Sequence, residues 1–264
     1  MAQAAHPHWR LFCTVLACMT GVGCSACETE QPTLFLSVSI EARDQSVLQT
    51  GLRERIDTLL SNQLPFIGVQ RDIFAGDTIS VVLAAPTGHG VQGAAIPEFS
   101  RITIPAQLAL TWPREHLERV LRHELAHIAL ARAVSFRALP LWFDEGYAEW
   151  SSGQFDCMAQ SELRSTVRAR LHNMADLLQI GATAAPASGA ATRAAYASTF
   201  EFIFYTSGVD GVQGLFDDIR AHGFAASYER LRSHGLDFDE QWSKFVAQRY
   251  GDTRGSMGPC TPSF

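Results

Sequence analysis

The 264-residue chain has no basic cluster and no internal repeat, and its charged residues make up only 18% of it, with a formal net charge of −6. The missing basic cluster argues against a nucleic acid partner. A hydrophobic content of 47% describes a globular chain, not a disordered one. Cysteine is scarce in the body, where only Cys157 and Cys260 occur, and neither sits in a short-spaced Cys or His cluster of the kind that holds a metal. The apolar run at residues 11–22 is too short to span a bilayer comfortably.

That run follows Arg10 and precedes Cys24-Ser25-Ala26-Cys27, so residues 1–27 read as an export leader. Two endings fit it. A leader peptidase would read the small residues before Cys27, and a lipoprotein signal also ends immediately before a cysteine that then carries lipid. The lipoprotein pattern prefers a leucine-like residue where Cys24 stands. The expected location is the cell envelope, either periplasmic or membrane-anchored through Cys27. In an oxidising compartment Cys157 and Cys260 are expected to pair.

Chemistry concentrates in His123-Glu124-Leu125-Ala126-His127 and in Leu139-Pro140-Leu141-Trp142-Phe143-Asp144-Glu145-Gly146-Tyr147-Ala148-Glu149-Trp150. On a helix His123 and His127 leave the same face and can grip one metal ion. Glu124 is rotated about 100° from His123, so it can flank the ion without ligating it. The plainer alternative is an amphipathic helix with two histidines on a polar stripe. A site with two histidines needs a third protein ligand, in one large class a carboxylate from a later helix. Glu145 opens such a segment. Glu149, one turn on, can accept a hydrogen bond from a ligating histidine and fix its ring.

These two segments resemble the gluzincin metallopeptidases, particularly the peptidase MA-like domains and more distantly the aminopeptidase N group. The resemblance covers roughly residues 33–250, with its specificity concentrated between His123 and Glu149. It implies a zincin-like α+β fold over residues 28–250, with a small sheet packed on the metal helix and a mostly helical second half. It also implies Zn2+ held by His123, His127 and Glu145, with Glu124 as the general base for water attacking a peptide bond. In the related aminopeptidases a tyrosine in a Y-x-x-G element donates to the oxyanion. The matching position is Tyr196, where Thr199 replaces the glycine; the competing role is an aromatic anchor. Tyr205, His222 and His234 are further possible donors. The aminopeptidase motif that holds a substrate amine is missing, and Glu98 is a weaker substitute for it. The partner implied is a peptide or protein substrate. The competing function is a non-catalytic, peptidase-like binding or assembly lipoprotein, against which the intact Glu124 argues.

Periodicity supplies the elements. Residues 33–41 and 78–84 read as strands, and residues 101–104 read as the strand at the cleft edge, against which an extended peptide would pair. Residues 47–64 read as a helix stopped by Pro65, and the metal helix is expected to start near Thr111 or Trp112 with Pro113 in its first turn. Further helices are expected at 158–180, 196–205, 211–221, 224–233 and 238–250. A loop is expected at 181–192, and residues 251–264 read as a flexible tail.

Overall fold

The computed structural model describes residues 37–42, 51–61, 66, 68–69, 73–74, 77–84, 93–155, 157–170, 189–233 and 238–251. All belong to the unit Leu34–Phe264. The chain is α+β, with a four-stranded sheet followed by a mostly helical second half. In chain order the elements are β1 (Ser37–Ala42), α1 (Leu52–Ser61), β2 (Thr78–Ala84), β3 (Ala94–Ile96) and β4 (Arg101–Pro105). Then come α2 (Ala106–Thr111), α3 (Arg114–Ala133), α4 (Leu141–Ser151), α5 (Cys157–Arg170), α6 (Ala190–His222), α7 (Phe224–Ser233) and α8 (Phe238–Gly251).

The β-branched runs build the sheet. Strand order is β1-β2-β4-β3, with β1, β2 and β4 parallel and β3 antiparallel to β4. Ile79, Val81 and Leu83 on β2 and Ile102 and Ile104 on β4 alternate into the core, as a period of two requires. Because β4 is hydrogen-bonded on both sides, residues 101–104 are not the edge. The edge on that side of the sheet is β3, three residues long and rich in alanine, which carries too little alternation to announce a strand.

Helix α3, which carries His123 and His127, starts later than its sequence suggests. Trp112 and Pro113 are extended, with ψ of 141° and 154°, and Pro113 caps the helix from outside. Residues 106–111 form the short separate helix α2. Within α3 the stripe Leu117, Val120, Leu121, Leu125 and Ile128 is buried as the periodicity predicts. Glu124 and His127 are buried as well.

The second half packs on α4. Phe143 meets Phe200 at 4.8 Å, Tyr147 meets Phe216 at 5.3 Å, and Trp150 stacks on Phe200 at 6.0 Å between ring centroids. Edge-to-face and offset pairs of this kind each add about 0.5–1.5 kcal/mol beyond the area they bury. Helix α6 begins at Ala190, so residues 190–192 are helical, not loop, and Arg193 rides on the helix. It is broken at Gly208, whose φ of 67° and ψ of −167° suit glycine alone, which accounts for the two helices expected there. Among the described residues no helix is long and apolar enough to cross a membrane. The leader, the pairing of Cys157 with Cys260, residues 181–188 and the tail after Gly251 lie outside what is described.

Candidate metal centre

Helix α3 presents His123 and His127 one turn apart, and α4 brings Glu145 across to them. The two Nε2 atoms are 3.2 Å apart. Glu145 places Oε2 at 3.5 Å from His123 Nε2 and Oε1 at 3.9 Å from His127 Nε2. Four ligands at bond lengths of about 2.0–2.1 Å around a tetrahedral ion stand roughly 3.3–3.4 Å apart, so these spacings fit one ion. The three residues form the group among the described residues that could hold a metal. Two imidazoles and a carboxylate leave the open position that separates a reactive site from a structural one.

Asp144 orients the site. Its Oδ1 lies 2.8 Å from His127 Nδ1, a distance at which Nδ1–H donates to the carboxylate and, in the neutral ring, leaves the Nε2 lone pair for an ion. Burial would lower the His127 imidazole, but the carboxylates of Asp144, Glu145 and Glu124 outweigh it and raise it to about 9. Burial also acts to raise Glu145, yet His123, His127 and Arg193 win and hold its carboxyl below the ordinary range.

The expected contact from Glu149 to a histidine ring is not what the structure contains. Glu149 is buried and its Oε1 pairs with Arg193 Nε at 2.9 Å, while His123 Nδ1 is buried with no hydrogen-bond partner. The reason is the early start of α6, which delivers Arg193 to the carboxylate. Burial raises Glu149, with His123 and Arg193 opposing. The carboxylate in contact with a histidine ring is Asp144, which the sequence offers as an alternative ligand to Glu145 and not as a partner for a ring. Its signal was available: an acid beside Glu145 on the same first turn.

Glu124 stands next to the three ligands and apart from them. Its side chain is 7% exposed, and burial raises its carboxyl while the two imidazoles pull it down. The backbone N–H of Ala95 on β3 donates to it. Gly93 makes room, because a Cβ there would meet Glu124 Oε1 at 2.6 Å.

Tyr196 is 1% exposed and its hydroxyl is buried without a hydrogen-bond partner. Burial raises its phenol, and the Glu145 charge raises it further. The Tyr196 carbonyl approaches α4 so closely that a Cβ on Gly146 would meet it at 2.6 Å. Thr199, which stands where the related pattern has glycine, donates its hydroxyl to that carbonyl at 2.7 Å. Of the other donors considered, Tyr205 is exposed, His222 pairs with Asp218 at 3.0 Å on the surface, and His234 lies outside the described residues. Glu98 sits on the exposed turn after β3 and is not part of the metal group. No family model matches the chain, and neither a curated protein nor a solved structure matches it.

Proposed function

We propose that the chain is a zinc-dependent metallopeptidase of the cell envelope, built on a zincin-like fold and acting on peptide or protein substrates. The observation that carries this reading is Glu124: a buried carboxylate, fixed by a backbone N–H, beside a three-ligand group to which it does not belong. A site that only stored or sensed metal has no use for such a group. A zinc ion bound by His123, His127 and Glu145 supplies a Lewis acid for water and for the substrate carbonyl.

The protein's own groups do the rest. Glu124 accepts the proton of the attacking water and returns it to the leaving amine. Asp144 holds the His127 ring in one tautomer. Tyr196 offers a hydroxyl with no other partner to the oxygen that becomes negative during attack. The open edge of β3 can pair with an extended peptide backbone, a role the sequence had suggested for residues 101–104.

The test compares wild type with Glu124→Gln at equal zinc occupancy, using a peptide library read by mass spectrometry. The variant should keep its metal and lose turnover. Equal cleavage by both would remove Glu124 from the chemistry, and absence of cleavage by zinc-loaded wild type would remove the peptidase reading.

A further inference from the structure

We infer that the end of the molecule formed by the β3–β4 turn and the carboxyl end of α3 is a lipid-facing surface on which the protein rests against a bilayer. Six large apolar side chains stay exposed among the described residues, and these two segments carry three of them: Ile96 (37%), Phe99 (71%) and Phe136 (51%). Ile96 pairs with Arg101 at the start of β4, and Phe99 ends the 3-10 turn just before it. Arg132, in the last turn of α3, donates to Ser100 Oγ at 2.6 Å and to the Ile73 carbonyl at 2.8 Å, which pins the helix end to that turn. Phe136 follows four residues later.

Phe136 is held outward by its backbone. Ser135 and Phe136 are both left-handed, with φ of 53° and 56°, which is uncommon for residues other than glycine and unusual for a bulky one. The Phe136 N–H closes on the Ala131 carbonyl at 2.6 Å. The chain thus adopts a disfavoured turn and leaves an aromatic ring in contact with solvent. A patch of this kind marks an interaction site.

A bilayer suits it for three reasons. The pairings Ser37 with Thr78 and Ser80 with Arg101 put the amino ends of β1, β2 and β4 at this same end. Cys27, the candidate lipid attachment point, lies ten residues before Ser37, and ten residues reach at most about 35 Å. An anchored chain therefore enters the domain on the side that shows the phenylalanines. Among the described residues the charged rim consists of exposed Arg101 and Arg137 against exposed Glu98, while Arg132 and Asp77 pair with each other, a balance that favours an anionic lipid surface. A peptide stretched along β3 would meet Ile96, but Phe136 belongs to no strand and lies off that line.

The experiment is amide hydrogen exchange on the full chain, free and bound to vesicles of phosphatidylcholine mixed with phosphatidylglycerol. The N-terminal run could hold the protein on vesicles by itself, so the pattern of protection is the readout. Exchange should slow at residues 96–101 and 134–138 and stay unchanged across α8. Phe99→Ser combined with Phe136→Ser should abolish that protection and lower vesicle partitioning about tenfold or more. Should the double variant fail to fold, the single substitution Phe136→Trp serves instead, with added quenching by brominated lipid expected. Vesicle-bound protein that exchanges freely at both segments, or a Phe136→Trp variant that shows no added quenching, overturns the inference. So does equal protection of both segments by a peptide in the absence of vesicles.

Discussion

His127 Nδ1 lies 2.8 Å from Asp144 Oδ1, so the residue directly before the third candidate ligand orients a ring contributed by the other helix. One helix turn thus supplies both a candidate ligand and the carboxylate that contacts another candidate ligand. The arrangement ties α3 to α4 at the point where the metal group closes.

Asp144→Ala should weaken zinc binding about 10–100-fold, the usual effect of losing the partner that fixes a ligating histidine. Glu149→Ala should cost less, because Glu149 pairs with Arg193 and not with a ring. Chelator competition at fixed pH measures both. Zinc affinity of wild-type strength in Asp144→Ala would mean that the contact orients nothing of consequence.

Tyr196→Phe separates chemistry from packing. If the hydroxyl donates to the developing oxyanion, kcat should fall about 10²–10³-fold with KM little changed. Stability should hold or rise by up to about 1 kcal/mol, since a buried hydroxyl without a partner is itself a cost. Kinetics at equal zinc occupancy and a denaturation curve on the same sample decide it. Full turnover in fully metallated Tyr196→Phe would make Tyr196 an aromatic anchor only.

Gly93→Ala pushes on the base. The added Cβ would stand 2.6 Å from Glu124 Oε1, the movable end of a side chain, so the carboxylate shifts and the fold survives. Turnover should drop about tenfold or more, given that misplacement by roughly 1 Å can cost about 10²-fold. Zinc content by elemental analysis should stay at the wild-type level. Unchanged kcat would show that Glu124 tolerates displacement.

Tyr250→Phe tests a polar cluster outside the candidate metal group. Tyr250 donates to Glu201, which Arg249 also contacts at 2.7 Å, and burial raises the Glu201 carboxyl. Losing the phenol should destabilise the protein by about 1–3 kcal/mol. Urea unfolding should show a lower midpoint with an unchanged slope, and zinc content should not move. A midpoint equal to wild type would mean that Arg249 alone satisfies the carboxylate.

What could be read from the sequence followed from spacing along single elements. The i, i+4 histidines and the buried stripe of α3 are properties of one helix, and a 3.6-residue period displays them. The alternation of Ile79, Val81 and Leu83 likewise belongs to one strand. What escaped depends on contacts between elements. β3 is a strand because β4 pairs with it, not because Ala94–Ile96 prefers one, and that pairing turned the supposed edge at residues 101–104 into an interior strand. Asp144 and Glu149 are both acids near the ligand, and only the path of α6 decides that Arg193 claims the second. The chain upstream of Ser37, where a leader is expected, is outside the described residues.

The approach of Gly146 to the Tyr196 carbonyl has a consequence for how the site tolerates change. Glu145 sits one residue from that contact, and Tyr196 is part of it, so ligand and phenol are referenced to each other through two backbones. Their separation does not depend on how the aromatic rings between α4 and α6 interlock. Phe143, Tyr147 and Phe200 could drift to other large apolar residues of similar total volume while the ligand and hydroxyl stay in register. Substitution at Gly146 has no such latitude, because any side chain there would push apart backbone atoms that cannot rotate away. The spacing of Glu145 and Tyr196 is therefore inherited through a single missing methyl, and the surrounding core is free to vary around it.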